Sequence, residues 1–527
     1  MFRLRASRLA APSFAFLLLL LGQARSVRAD DDVLLQAFWW DSPQGWWKTL
    51  HENAYDFAKA GFRRVWIPPV SKDAAGGYGM GYGTYDGYDL GEYDQMGTIP
   101  TRFGTRQELQ DMTWRMNQLG LDPIGDMNLT HRNGGQDEAA PDGSHTWTKF
   151  NFPHERFQLS WWDFQHGHIE WKFGEHLNYW NDYVRHGLKE WGTWLTDTIG
   201  LKGYRIDQAK GLDPAYLREF LGHGSMYGKF AVSEYWDTNL DKLDEYVHAS
   251  GAKVFDFPLF YKLQEMANDH AGFFDMRKLV GAGYSARNPY GAVTFVENHD
   301  TDRSQPISFD KMMAYSYILF SEGTPTVFLK DYWEYGMKGQ IDPLVAIRRT
   351  LLAGGTRTLY ADQNLLVLQR DGWDGQPGGV LVLNNHGQDT RSAWVSVKPE
   401  WSGQDLVDHT GNQGNRPVQG DGRVELSAGP RGYAIYSIKV PGFDAKNANF
   451  APGPDPRAQG AADGLPLDLA KADPALVRAN ASPVSGAVQR NGQVDVKTDG
   501  VLGALGKSDA LKDRIDAATT VGAEDGR

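Results

Sequence analysis

From Val33 onward, short runs of β-branched and aromatic residues alternate eight times with longer amphipathic stretches. The runs are Val33–Phe38, Arg64–Ile67, Asp122–Met127, Gly203–Asp207, Phe230–Glu234, Lys253–Phe257, Val293–Glu297 and Thr326–Leu329. Eight strands separated by helical patterns predict a parallel (β/α)8 barrel, over residues 30–127 and 182–357. The stretch between Met127 and Asn181 is too long for a simple connection and mixes Gly, Asn, His and Trp irregularly, so 128–181 is expected to be an inserted domain. After about Thr358 the period shortens to two, as in Leu365–Leu368, Val380–Leu383, Trp394–Val397 and Tyr433–Tyr436. That predicts an antiparallel β-sandwich over 358–440. Residues 441–527 are rich in Ala, Gly, Pro and Asp with no aromatic after Phe450. A disordered tail is expected there, because so little apolar surface cannot offset the ordering entropy.

Composition narrows the chemistry. Sixty-six acidic residues against 54 basic ones give a net charge of −12, which repels polyphosphate and excludes a nucleic-acid partner. Cysteine is absent, so thiolate catalysis, Cys-ligated metal centres and disulfides are excluded. Aromatics reach 13%, with 18 Trp and 23 Tyr, and such faces stack on sugar rings as well as on one another. At the N-terminus Arg3, Arg5 and Arg8 precede an apolar stretch from Leu9 to Gly22, and Val27-Arg28-Ala29 offers a cleavage site. Residues 1–29 therefore read as a signal peptide, which predicts a secreted protein, extracellular or periplasmic, with no membrane anchor after cleavage. The apolar stretch falls short of the roughly 20 residues needed to span a bilayer. A monomer is expected.

In such a barrel the active site forms at the C-terminal ends of the strands. Four of the candidate strands end in charged or imidazole side chains: Asp126 to His131, Arg205 with Asp207, Glu234, and His299 with Asp300. No nucleophilic Ser elbow, phosphate loop or zinc motif competes, and Gly76–Gly87 lacks the Lys-Ser/Thr of a phosphate loop. Paired carboxyls of this kind suit glycosidic cleavage, in which one attacks the anomeric carbon and the other protonates the leaving oxygen. Asp207 lies two residues after Arg205, on the same side of a strand, and the guanidinium should hold it ionised as the nucleophile. Glu234 sits between Val232 and Tyr235-Trp236, surroundings that raise its pKa and suit a general acid/base.

The strings GYRIDQAKG (203–211), AVSEYWD (231–237), TFVENHDT (294–301) and DMNLTH (126–131) resemble, in this order, four strand-end motifs of the α-amylase family, glycoside hydrolase family 13. QAFWWD (36–41), WIPP (66–69) and GYGTYDGYDLGEYDQMGT (81–98) are similar to segments of liquefying bacterial members, and EYWD to plant ones. The resemblance spans Val33 to Val440. It implies hydrolysis of internal α-1,4 bonds in starch-like or glycogen-like glucans, with no cofactor required. It implies Asp207, Glu234 and Asp300 as catalytic, with Asp300 and His299 contacting sugar hydroxyls. His131 would bond the same sugar, Tyr82 would stack beneath it, and Lys210 would bind on the leaving side.

The departures fall on the family's calcium position. Thr130 stands where Asn precedes the first-motif His, and His176, in HLNYWND (176–182), stands where an Asp is usual. Calcium needs hard oxygen ligands, so a structural calcium is not expected. His176 bonding to Thr130 across the position is expected instead. His166, His168 and His176 suit either a softer metal or a structural role. Gly211 replaces a family His, and Glu297 stands where Asp is commoner. Alternatives for function are a maltooligosaccharide-forming exo-enzyme, a transglycosidase, or a sugar-binding barrel without catalysis.

Overall fold

A computed structural model describes residues 32–454 apart from 153, 155, 167–172 and 270. The expected signal peptide and His168 lie outside the described residues, as does the chain from 455 onward. Eight parallel strands close into a barrel: β1 Leu34–Gln36, β2 Arg64–Ile67, β3 Asp122–Met127, β4 Gly203–Ile206, β5 Phe230–Ser233, β6 Lys253–Phe255, β7 Ala292–Phe295 and β8 Thr324–Phe328. β8 returns to pair with β1 (Leu34 opposite Thr326), and each other strand pairs with its sequence neighbour. All eight lie where the hydrophobic runs placed them. Asp207 and Glu234, expected as last strand residues, sit one residue past the ends of β4 and β5, and His299 lies four residues past β7.

The longer helices between strands are α1 Trp46–Ala60, α2 Arg106–Gln118, α3 Asp182–Ile199, α4 Pro214–Leu221, α5 Leu240–Ser250, α6 Phe257–Asn268 and α7 Lys311–Phe320, and α8 Lys338–Leu351 comes after the last strand. Their starts are written locally. Thr105 and Glu108 form a reciprocal capping box on α2, and Asn181, Asp213, Asn239 and Asp256 cap the free amides of α3 to α6. Gly61, Gly200 and Gly251 end α1, α3 and α5 in the left-handed conformation that only glycine adopts cheaply.

The insertion carries two small ladders: His131–Arg132 pairs with Glu175–His176, and Gln136–Ala139 with His145–Lys149. It does not stand alone. A further hairpin, Lys72–Asp73 with Thr84–Asp86, arises in the long connection between β2 and α2, and the Asn133 amide donates to the Thr84 carbonyl (3.0 Å). Tyr85 stacks on Phe152 at 4.0 Å. The buried Lys72 ammonium ties this connection together by donating to the carbonyls of Tyr93, Thr98 and Ile99, with the Asp89 carboxylate 3.3 Å away.

The C-terminal sandwich has a six-stranded antiparallel sheet, in spatial order Thr356–Ala361, Leu365–Arg370, Gly379–Asn384, Gly432–Ile438, Asp405–Asp408 and Arg416–Pro417. A two-stranded sheet, Arg391–Ser396 with Arg423–Ala428, covers one face. The two-residue period explains why the central strands read as unbroken apolar runs. Leu365, Val367, Val380 and Val382 face the sandwich core, whereas Leu366, Leu368, Leu381 and Leu383 join the core of the barrel.

The tail expectation needs correction over its first part. Residues 441–454 lie against the barrel: the Phe450 amide donates to the Lys59 carbonyl (3.1 Å), Arg349 stands over the Phe450 ring (4.4 Å), and Tyr55 donates to the Gly453 carbonyl. Two aromatics, Phe443 and Phe450, suffice as anchors where average composition suggested none.

Candidate active site

Arg205 organises the strand ends. Its side chain is 2% exposed and is opposite Asp126 in the β3–β4 ladder. Nη1 donates to Asp126 Oδ1 at 2.9 Å and to Asp207 Oδ1 at 2.5 Å, while Nη2 lies 3.0 Å from Glu234 Oε2. One planar guanidinium thus holds three carboxyls from three adjacent strands. The sequence reading gave this clamp to Asp207 alone. Gln208, immediately after Asp207, takes a left-handed turn (φ 45°), and its backbone N–H donates to Glu234 Oε2 at 2.9 Å. Both contacts to Glu234 therefore fall on one oxygen.

A second chain of hydrogen bonds runs from the opposite side. Gln36 Nε2 lies 2.9 Å from His299 Nδ1, and His299 Nε2 lies 2.9 Å from the Tyr82 hydroxyl, which donates to Asp126 Oδ2. Trp66 Nε1 donates to the same Asp126 oxygen (3.0 Å). With Gln36 donating to Nδ1, His299 carries its proton on Nε2. Tyr82 lies parallel to the His299 ring, 4° apart in plane with centroids 5.7 Å apart. Asp300 accepts from Trp40 Nε1 (2.9 Å), and His299 Nε2 stands 3.5 Å from its other oxygen.

These surroundings raise both acids. Burial pushes Glu234 up to about 7, with Arg205 opposing and the Asp207 and Asp300 charges reinforcing. Asp207 rises less, to about 6, since burial and the Asp126 charge outweigh the pull of Arg205. The rise expected for Glu234 from surroundings that disfavour charge is found, with burial its largest cause. Tyr235 stacks on Tyr246 and Trp236 on Phe257, and the Asp207 and Asp300 charges add to the effect of burial on the carboxyl. Burial also lowers His299 to about 4, so it is neutral at pH 7.

The other expected residues are placed less alike. His131 is buried, with Nδ1 2.8 Å from Thr130 Oγ1 and Nε2 3.2 Å from Asn128 Nδ2, so both nitrogens are engaged within the protein. Burial lowers its pKa to about 3. Lys210 lies at the rim, 40% exposed, 3.2 Å from Asp237 Oδ2. Glu297 stays away from the acids in an ion-paired group with Lys311 and Asp331. Gln36, Trp40 and Trp66 were not assigned roles from sequence, although QAFWWD and WIPP contain them.

The calcium position departs from the family, and the donors present do not suit calcium. Thr130 Oγ1 is taken up by Asn128, His131 and Gln208. His176 is 4% exposed, and its two ring nitrogens have no hydrogen-bond partner. The expected bond between His176 and Thr130 is therefore not made. His176 Nε2 faces Gly211, where an added Cβ would come within 3.0 Å. His166 turns instead to the Trp161 carbonyl (2.7 Å) and stacks on that indole. Among the described residues, no three His, Asp or Glu side chains form a metal-binding group.

A (β/α)8 barrel bearing paired, buried carboxyls clamped at its strand ends points to a class, the glycoside hydrolases. Comparisons with known proteins narrow it. The chain is 30% identical to a glucan 1,4-alpha-maltohexaosidase of Bacillus sp. (strain 707), over 77% of this chain and 92% of that one. It is also 30% identical to an alpha-amylase of Bacillus licheniformis, over 69% and 85%. Residues 380–437 match the Alpha-amylase C-terminal family. The solved alpha-amylase from Malbranchea cinnamomea shares the fold, with a TM-score of 0.60 at 18% identity over 78% of this chain and 97% of that one. The chain belongs to the α-amylase family, glycoside hydrolase family 13.

Proposed function

We propose that this chain is a secreted, retaining α-amylase that cuts internal α-1,4 bonds of starch-like or glycogen-like glucans. The observation that carries the reading is the Arg205 clamp, which gathers Asp207 and Glu234 on one guanidinium at the strand ends. Asp207 attacks the anomeric carbon, and the C–O bond breaks as Glu234 gives its proton to the leaving oxygen. Both protein contacts to Glu234 use Oε2, so Oε1 is the oxygen that delivers the proton. Glu234, now ionised, takes a proton from water, which displaces Asp207 with a second inversion. Asp300 bonds sugar hydroxyls, tightening as the ring flattens, and neutral His299 joins it by turning its Nε2 proton from the Tyr82 hydroxyl to the sugar. Tyr82 stacks at this subsite and Lys210 bonds on the leaving side, while His131 reaches a sugar only by giving up its contact with Thr130 or Asn128.

No cation takes part in this reading, because the donors around His176 and Thr130 are too few and too soft for calcium. Export is supported by the basic and apolar N-terminal sequence. A cytoplasmic alpha-amylase of Escherichia coli, 28% identical, shows that relatives differ on this point. A second reading is favoured by the maltohexaosidase relative: release of one oligosaccharide length from chain ends.

The purified protein acting on soluble starch tests both. Early products of mixed length with the α-anomer in proton NMR are expected. A single product length from the first minutes would replace the endo reading, and a β-anomer would overturn retention. Asp207→Asn and Glu234→Gln should each lose at least about a thousandfold in kcat.

A further inference from the structure

The face of the barrel opposite the acids carries a cavity of about 270 Å³. Lys253, the first residue of β6, and Thr324, the first of β8, line it, so it opens at the N-terminal ends of the strands. The acids stand beyond the C-terminal ends, roughly 15 Å away along strands that rise ~3.3 Å per residue. Tyr290, before β7, and Trp373, from a turn of the sandwich, line the same cavity yet are 75% and 73% exposed. Single exposed aromatics are ordinary. Two from separate domains framing one cavity are not.

Both rings are held on fixed backbone. Trp373 exchanges two 3.1 Å backbone hydrogen bonds with Gln376, and the Tyr290 carbonyl accepts from the Lys253 ammonium. Little conformational freedom is left to lose on binding, since each ring keeps only two torsions. The sandwich side of the cavity is bare: a Cβ built on Gly355 would meet nothing within 4 Å. Lys253 has further N–H groups to donate, and Glu322 uses Oε2 on the Thr356 amide, leaving Oε1 to accept. A donor and an acceptor lining the same cavity as two aromatic side chains suit a neutral, hydroxyl-rich ring. The chain's net charge of −12 disfavours a polyanion.

We infer that Tyr290 and Trp373 form a second α-glucan site, which grips the polymer on the far side of the barrel from the cleft. The inference rests on the α-glucan reading above and extends it from cleavage to anchoring. A polymer longer than the enzyme reaches both faces, and a second contact raises its local concentration.

The test is adsorption of the full-length protein to granular starch, measured apart from turnover of a short soluble maltooligosaccharide. Each stacked ring contributes about threefold to tenfold in affinity. Tyr290→Ala with Trp373→Ala should weaken adsorption by about tenfold or more. Turnover of the short substrate should not change, which also certifies the fold. Trp373→Phe should retain most of the adsorption, because it keeps a stacking face. Adsorption unchanged in the double variant, or a wild-type protein that does not adsorb, overturns the inference. A wild type that adsorbs through these rings but cleaves no glucan would instead overturn the catalytic reading and leave this one standing.

Discussion

Replacing Arg205 is the sharpest probe of the site, because one buried side chain serves three carboxyls. In Arg205→Met the contacts to Asp126, Asp207 and Glu234, all within 3.0 Å, are lost together. A unit charge at about 4 Å is worth about 4 kcal/mol at an effective dielectric of about 20, which equals roughly three pKa units. Asp207, already pushed up to about 6 with the guanidinium in place, would then be protonated at neutral pH. Its ionised fraction near pH 6.5 falls about a hundredfold from this cause alone, before any loss of alignment. Glu234 moves the same way, so the whole pH profile of kcat/KM shifts to alkaline values. Arg205→Lys keeps a charge but not the fork, and should fall between. Leaving carboxyls buried without their partner costs about 3–5 kcal/mol and lowers the melting temperature by roughly 5 °C. The assay is the initial rate on a short chromogenic maltooligosaccharide from acid to alkaline pH, beside a thermal melt. An acid limb unmoved in Arg205→Met, with kcat/KM within about tenfold of wild type, would refute the argument.

In the wild type, kcat/KM should rise through about pH 6 as Asp207 ionises and fall through about pH 7 as Glu234 loses its proton. A plateau reaching several units above pH 7 would contradict that order. Excess chelator should leave the melting temperature nearly unchanged, since a ligand bound to the native state would raise it and its removal would lower it. A large drop restored by calcium would show that oxygens other than Thr130 rebuild a site beside His176. Deletion of Pro441–Arg527 should lower the melting temperature, against the expectation from composition, and Phe450→Ala alone should cost about 2 kcal/mol through lost packing under Arg349. Identical melts for the deletion and the full chain would return the segment to a dispensable tail.

The barrel was legible because its information is local. Each strand is a short apolar run, each helix a periodic face with its own cap, and parallel closure leaves few arrangements for eight such units. The acids were legible too, since a barrel presents strand ends on one face, and Asp207, Glu234 and Asp300 sit there within contiguous motifs. The paired burial of the sandwich strands followed from a period of two.

What tertiary structure decided is who shares a partner. Arg205 gathers carboxyls up to 79 residues away, and His299 is fixed by Gln36, 263 residues earlier. No periodicity or spacing encodes such meetings, because they depend on strand register and on how far the barrel closes. The same holds for Thr130, whose hydroxyl turned to Asn128, His131 and Gln208 rather than to His176. It holds for Phe450, which found a groove that composition averages away. Sequence by itself determined which residues stand at the strand ends. Packing determined which of them touch, and burial at those contacts raised the carboxyls above their ordinary range.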